Sequence, residues 1–354
     1  MDIYVLNKSF QTVAVIDSYI SVIWTRRYFT YGDFELYLSA EESLLDTLQE
    51  GFYLVRDRDM KSDGYHNVMV INYREIITNV EEGDNLLIKG YCLKSILSRR
   101  VVVNQTSLRG TVQNCIRQLL SENIISPTDS ARTISNFTTG SDTFTDSTEL
   151  KTQITGKNLS EAITDICKRY GYGYDVYLHN GSFIFYLYKG DNRSYSQSEN
   201  AHVVVSESID NLLSSDYSQS KQTYGNVAIV AGEGEGTLRK KTTVGTATGL
   251  DRYEMWIDAR NASTNNGEIT DAEYYDMLAS EGREAIAEHD ITTLLNGEII
   301  NGVSYQINRD YYLGDIIQFE NDYGVSAATR VVEVIESEDE NGEDIIPTFE
   351  EMEV

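Results

Sequence analysis

Apolar and polar residues alternate with a period of two in several short runs of the first third of the chain. That alternation is typical of strands with one buried face. The clearest runs cover residues 34–38, 52–56, 67–73 and 85–91. One short leucine-rich helix, ending before Gly51, separates the first two runs. We therefore predict an antiparallel, β-barrel-like domain over residues 1–105.

The middle of the chain changes to helical periodicity. Apolar residues spaced three and four apart predict one helix starting near Ser107 and a second one capped by Asn158. Two alternating runs then flank Asn180 and Gly181, the residue pair that most strongly favours a tight β-hairpin. This mixture predicts an α+β insertion domain over residues 106–216.

Alternating runs return in the last third, at residues 226–231, 253–258, 315–320 and 329–336. They surround a longer helix, which the Thr270 and Glu273 capping box opens. Its predicted inner face consists of Tyr275, Leu278, Ala279, Gly282 and Ile286. Residues 217–354 are thus predicted to form a second β-barrel-like domain with an inserted helix and an acidic C-terminal segment. The predicted class is α+β, mainly β, with two tube-forming β-domains flanking the insertion.

The net charge and its distribution disfavour some functions of the chain. The net charge is −27, and the first 110 residues hold 12 basic and 15 acidic side chains, so most of the excess acid lies beyond them. Direct nucleic-acid binding needs a basic surface and is disfavoured. A strongly acidic surface suits either plain solubility or a wall past which a phosphate backbone moves without sticking. No apolar run has membrane-span length and no secretory signal begins the chain, so we expect assembly in a cytoplasm.

Catalytic and metal-binding patterns are absent from the sequence. The three cysteines and four histidines stand apart, at spacings that fit no metal site. No nucleophile elbow, zinc-protease or phosphate-loop motif occurs, and the glycines at 232, 234 and 236 alternate with glutamates that would repel phosphate. We expect no catalytic, cofactor-binding or metal-binding residues, and therefore no enzyme.

Two strings of residues carry a family resemblance. The first contains Trp24, Arg26, Arg27 and Tyr28 followed by Gly-Asp-Phe-Glu-Leu-Tyr-Leu at 32–38, and the second contains Tyr-Tyr-Leu-Gly-Asp-Ile-Ile at 311–317 followed by Thr-Arg-Val-Val-Glu-Val at 329–334. In order and spacing they resemble the tail-hub, or baseplate-hub, proteins of siphophages and prophages of Gram-positive bacteria.

That resemblance implies a homotrimer at the tail tip of a virion, assembled in the host cytoplasm, without a cofactor. Two β-barrel domains per subunit would form a pseudo-sixfold ring that joins the tail tube to the distal tip. The implied partners are a distal tail protein or tail-tube ring, the tape-measure protein and receptor-binding or tip proteins. DNA would be a partner only during passage through the channel.

Six residues of the strings are candidate site residues. Trp24, Arg26, Arg27 and Tyr28 are candidates for a subunit contact, where arginine can bridge carboxylates with two hydrogen bonds. The alternative is that the tryptophan is core and the arginines are solvated. Asp33 and Asp315 each follow a glycine and are candidates for ordering β-turns.

Two other functions remain open. The same hub could serve a contractile bacteriocin or injection system. A carbohydrate-binding or depolymerising tail protein is the alternative of a different class, and it predicts surface aromatics beside clustered carboxylates.

Overall fold

Strands dominate the computed structural model, which describes residues 1–80, 83–264, 267, 269–299 and 304–351. The strands are β1 Ile3–Leu6, β2 Thr12–Ile16, β3 Ser21–Arg27, β4 Asp33–Ser39, β5 Tyr53–Arg56, β6 Met60–Lys61, β7 Gly64–Tyr65, β8 Met69–Ile77, β9 Asn85–Cys92, β10 Thr106–Thr111, β11 Phe137–Thr139, β12 Glu149–Ile154, β13 Gly173–His179, β14 Ser182–Tyr188, β15 Val204–Ser206, β16 Leu212–Ser220, β17 Val227–Ala231, β18 Lys241–Val244, β19 Glu254–Asp258, β20 Thr292–Ile299, β21 Ile316–Glu320, β22 Ser326–Asp339 and β23 Gly342–Glu351. The α-helices are α1 Glu42–Thr47, α2 Val112–Leu120, α3 Leu159–Tyr170 and α4 Asp271–Glu288. The prediction of a mainly β protein with an α+β insertion is confirmed.

One large sheet combines strands from both ends of the chain. Its order is β15-β21-β22-β3-β4-β9-β8-β5-β1-β2, with β23 also paired to β22. The first and last thirds of the chain therefore share a sheet, because β3 and β22 pair antiparallel. The end strands β15 and β2 do not pair with each other, so the described strands form an open sheet and no closed barrel. The boundaries at 105/106 and 216/217 stay predictions.

The second sheet has the order β11-β14-β13-β7-β6, so that three strands of the insertion pair with β6 and β7 of the first third of the chain. The predicted hairpin is confirmed as β13 and β14, with Asn180 and Gly181 at positive φ in the turn. Its apolar face, with α2 and α3, packs in one core against Leu6, Val55 and Val70 of the large sheet. This shared core anchors the insertion on β1, β5 and β8 of the large sheet, and Tyr28 of the first string belongs to it.

Two helices differ in detail from their predicted limits. The segment from Ser107 is strand β10, paired with β12, and α2 starts only after Thr111, whose side chain caps it. Helix α4 has the predicted Thr270–Glu273 capping box. Its buried face, however, carries Tyr274 rather than Tyr275, because the Tyr274 hydroxyl donates to the Ala262 carbonyl oxygen in a buried hydrogen bond.

Helix α4 and a small sheet form a separate core. The sheet order is β18-β17-β19, and its residues Ala228 and Val230 pack against Tyr274, Met277 and Leu278 of the helix. Strands β16 and β20, which pair antiparallel, flank this unit in the chain. The unit has its own apolar cluster, distinct from the core of the insertion.

Candidate functional site

The two strings that carry the family resemblance lie side by side in the large sheet. In the antiparallel register of β3 and β22, Arg27 pairs with Glu333 and Trp24 pairs with Glu336. Glu333 lies within the second string, and Glu336 follows three residues later. Residues about 300 positions apart in sequence thus form one junction.

Trp24 and Tyr28 are buried inside their own chain. Both side chains are 0% exposed. The Trp24 ring nitrogen donates to the Asn67 carbonyl oxygen at 3.2 Å, and the Arg56 guanidinium lies 4.8 Å from the ring centroid. In this fold neither side chain is accessible to another subunit. The subunit-contact prediction for these two residues is corrected to a role in the core.

Glu336 is the centre of a buried ionic cluster. Its carboxylate is 4% exposed and accepts from Arg26 and Arg58, each at 2.8 Å, and from Arg56. Arg56 also contacts Asp59. Burial alone would raise the pKa of Glu336, but the three guanidinium groups outweigh it and lower the pKa to about 2. The cluster fastens β22 to β3 and β5.

Arg27 forms the second ionic contact of the junction. Its guanidinium contacts Glu333 at 2.5 Å and also Asp33. Asp33 is the first residue of β4, and the contact described for its carboxylate is with Arg27 rather than with a turn. A turn-ordering role of Asp33 stays a prediction. For Arg26 and Arg27, a contact with another subunit stays a prediction, in addition to the contacts that both make within the chain.

Tyr28 fills the point where three parts of the chain meet. Its hydroxyl donates to the Gly171 carbonyl oxygen at 3.0 Å and accepts from the Gly190 amide at 3.3 Å, both in the insertion. A Cβ at Gly173 or at Gly314 would lie 2.3 Å from the Tyr28 ring, so both positions need glycine. The Arg330 guanidinium lies 5.3 Å from the ring centroid.

Asp315 organises the neighbouring loop. Its carboxylate accepts from the Tyr312 amide at 3.0 Å within the Tyr312–Asp315 turn, and from the Asp191 amide and Arg193 Nε, each at 2.8 Å. Burial raises the pKa of Asp315 in spite of these donors. The contacts tie the second string to the segment that leaves the insertion.

A cavity of about 190 Å³ lies at the same junction, lined partly by Lys94 and Asp175. The Lys94 ammonium donates to the carbonyl oxygens of Arg27 at 2.5 Å and Thr30 at 3.0 Å. Burial lowers the pKa of Lys94 and raises that of Asp175. Because Lys94 is engaged by backbone oxygens, its role in this arrangement is to hold the turn between β3 and β4.

Cysteines and possible metal ligands are the remaining reactive groups of the described residues. Cys92, Cys115 and Cys167 are buried and free. Within the described residues, no group of three or more His, Cys, Asp or Glu side chains is placed to hold a metal ion. None of the helices in the described part of the chain has the length and apolar character needed to cross a membrane.

Sequence reasoning missed Arg56, Glu336 and Gly173 as members of the junction. Arg56 and Glu336 both stand in runs predicted as strands, at positions where alternation calls for an inward side chain. Two opposite charges at inward positions of strands are a signal for a buried ion pair. Gly173, the first residue of β13, carries no comparable signal in the sequence.

Known proteins similar to this chain include one siphovirus protein family and several solved tail proteins. The family model described as Siphovirus ReqiPepy6 Gp37-like protein matches residues 2–349. No curated protein matches the sequence. Among solved structures, the 43 kDa tail protein of prophage MuSo2 from Shewanella oneidensis is 10% identical with a TM-score of 0.57, over 99% of this chain and 98% of that one.

Two further solved structures have the same fold. The tail protein from Neisseria meningitidis MC58 is 12% identical with a TM-score of 0.55, over 99% of this chain and 96% of that one. The prophage tail protein gp18 from Listeria monocytogenes EGD-e is 11% identical with a TM-score of 0.55, over 98% of this chain and 94% of that one. At these identities the likeness establishes the fold.

Proposed function

The chain belongs to the siphovirus ReqiPepy6 Gp37-like family, and on that premise we propose that it is a structural hub at the tip of a siphophage-type tail. The observation that carries the proposal is the fold, which matches three solved tail proteins over at least 98% of this chain. In the proposed role, a homotrimer joins the tail tube to the distal tip and forms part of the channel for DNA delivery.

The open sheet supports a protein that is completed by other subunits. Strand β2 lies at one edge of the large sheet, and its Val13 and Val15 are each 45% exposed. An edge strand with exposed aliphatic side chains is a template for further pairing unless another chain covers it. Proposed neighbours are other copies of the chain, a distal tail protein or tail-tube ring, the tape-measure protein and receptor-binding or tip proteins.

The junction supports a structural rather than a catalytic role. Its charged side chains are engaged with one another, as Glu336 is with Arg26, Arg56 and Arg58. Such a cluster holds strands together and leaves no free nucleophile beside a base. We therefore propose that the chain is not an enzyme. Reproducible cleavage of peptidoglycan or a glycan by the purified chain, abolished by substitution of one carboxylate, would contradict this.

Two measurements test the proposed trimer and its proposed position at the tail tip. Light scattering on the purified chain should give three times the 40.0 kDa chain mass. Antibody labelling of virions should then mark the tail tip, in one cluster per particle. A protein that stays monomeric at high concentration contradicts the trimer, and labelling along the tube or at the head contradicts the position.

A further inference from the structure

In one stretch of this acidic protein, all charged side chains are basic. Residues 85–121 contain six lysines and arginines and no carboxylate, in a chain of net charge −27. Three of the six pair with carboxylates: Lys89 with Glu35, Arg109 with Glu273, and Arg117 with Asp142. Lys94 is buried and donates to backbone carbonyl oxygens. This leaves Arg99 and Arg100, of which Arg100 also donates to backbone oxygens but forms no ion pair among the described residues.

Arg132 completes this basic surface. Arg100 Nε donates to the Arg132 carbonyl oxygen at 2.8 Å, and Arg132 Nη2 donates to the Val101 carbonyl oxygen at 2.5 Å. In the described part of the chain, no carboxylate forms an ion pair with Arg99, Arg100 or Arg132. Arg100 and Arg132 therefore lie in contacting segments, and Arg99 directly precedes Arg100 in the chain.

Exposed aliphatic side chains lie within the same surface. Val101 is 44% exposed and Val103 is 59% exposed, whereas Val102 between them is 0% exposed. The Val102 amide donates to the Lys157 carbonyl oxygen at 2.8 Å, which holds the segment extended and directs its two neighbours outward. We call Arg99, Arg100, Val101, Val103 and Arg132 the arginine–valine surface.

The hairpin of β22 and β23 offers the complementary surface. At its tip Asp339, Glu340 and Asp344 are exposed and, among the described residues, form no ion pair. Ile346 is 46% exposed and lies on the same strand face as Asp344, two residues away. We call Asp339, Glu340, Asp344 and Ile346 the acidic hairpin surface. Each surface combines three like charges with exposed aliphatic carbon.

We propose that the arginine–valine surface of one copy docks on the acidic hairpin surface of the next copy. The inference rests on the proposed trimer. A closed ring of three requires a head-to-tail contact between two different surfaces of the chain. Copies that each carry −27 repel one another, and a contact of three cations with three anions offsets this repulsion locally and fixes the register. The exposed valines favour a protein partner, because a phosphate backbone offers them no apolar contact.

A charge swap tests the pairing in the full chain. The variant Arg99→Glu, Arg100→Glu, Arg132→Glu places like charges opposite each other, and should raise the concentration at which half the chain is trimeric at least about tenfold. The variant Asp339→Lys, Glu340→Lys, Asp344→Lys should do the same. Combining all six changes in one chain should restore the wild-type mass at wild-type concentration. Mixing the two variants should not restore it fully, because every ring of three built from both variants keeps one contact between like charges.

A matched control carries the same charge change elsewhere. Glu41, Glu42 and Asp46 are exposed on or beside α1, and their substitution by lysine should leave the trimer intact. Circular dichroism confirms that each variant folds. A wild-type trimer whose mass survives both reversals overturns the pairing and leaves the hub proposal standing. A wild-type chain that is monomeric at every concentration overturns both.

Discussion

At the residue scale, Glu336 illustrates how a buried charge is tolerated in this fold. Its side chain is 4% exposed, and the desolvation of a lone carboxylate at such a site would be very unfavourable. Three guanidinium groups offset that cost, from Arg26, Arg56 and Arg58. Removing one partner of such a cluster is far more harmful than replacing the whole cluster with apolar groups, because the others stay buried and uncompensated.

Glu336→Gln should therefore lower the free energy of unfolding by about 3 kcal/mol, measured by chemical denaturation near neutral pH. Because the pKa of Glu336 is lowered from 4.5 to about 2, its ionic contribution is fully present above pH 4.5. That contribution disappears as the pH falls toward 2, and the variant should lose this part of the acid-induced destabilisation. Glu42→Gln, at an exposed position of α1, is the control. An equal effect of both variants would contradict a buried cluster.

Gly173→Ala tests the packing around Tyr28. The new Cβ would lie 2.3 Å from the ring, so the substitution should destabilise the fold by about 1–3 kcal/mol. In a Tyr28→Ala background the same substitution should cost much less, because the ring is gone. Thermal unfolding of the wild type, both single variants and the double variant measures this coupling. Additive effects would show that the strain has another source.

At the element scale, α4 and the sheet of β17, β18 and β19 form a unit that meets the insertion mainly through polar contacts. Arg109 contacts Glu273 at 3.2 Å, and the Ser263 amide donates to Gln153 Oε1 at 3.1 Å. Between the two parts lies a cleft of about 370 Å³ lined by acidic residues of α4, including Glu281. A polar, incompletely filled contact of this kind is weaker than the shared apolar core.

The stability of this contact should depend on Glu281 near neutral pH. Burial, together with the nearby Glu284 carboxylate, raises the pKa of Glu281 from 4.5 to about 7. The folded state then binds the proton more tightly than the unfolded state, so stability is greatest below pH 4.5 and decreases as the pH rises to about 7. Glu281→Gln should remove this slope and stabilise the protein at pH 8, on the order of 1–3 kcal/mol.

Thermal unfolding at several pH values between 5 and 8 measures the effect. Glu288→Gln, which changes an exposed carboxylate of the same helix, should keep the slope of the wild type. If both variants show the same pH dependence, the titrating group is not Glu281.

Alternation along the chain predicts most of the central strands, because a strand with one buried face has apolar residues at every second position. The predicted helix start near Ser107 and the predicted inner face of α4 were wrong because apolar residues at Leu108 and Tyr275 fit two periodicities, and tertiary contacts decide between them. The ionic cluster depends on the pairing of Arg56 with Glu336, which are 280 residues apart. Local sequence patterns do not indicate which distant residues will pair.

At the scale of the whole molecule, two short strings were enough to identify the kind of protein. The resemblance to siphophage tail proteins is confirmed by the family match over residues 2–349 and by the shared fold. The reason lies in the junction, because both strings supply its parts: Tyr28 from the first and Gly314 from the second occupy one tightly packed point. Residues that must meet in space constrain each other's size and shape.

The net charge leads to the last prediction, which concerns the proposed channel. A trimer carries three times −27, and this charge must be placed where repulsion is tolerable or useful. A DNA-conducting wall benefits from carboxylates, since contacts between phosphate and lysine or arginine would make DNA adhere and its passage depend on salt. We therefore expect acidic side chains to outnumber basic ones on the channel-facing strands of the trimer. Cryo-electron microscopy of the trimer measures this directly. A channel lined mainly by lysine and arginine, with the acids confined to the outer rim, would contradict the conduit argument and leave the structural hub intact.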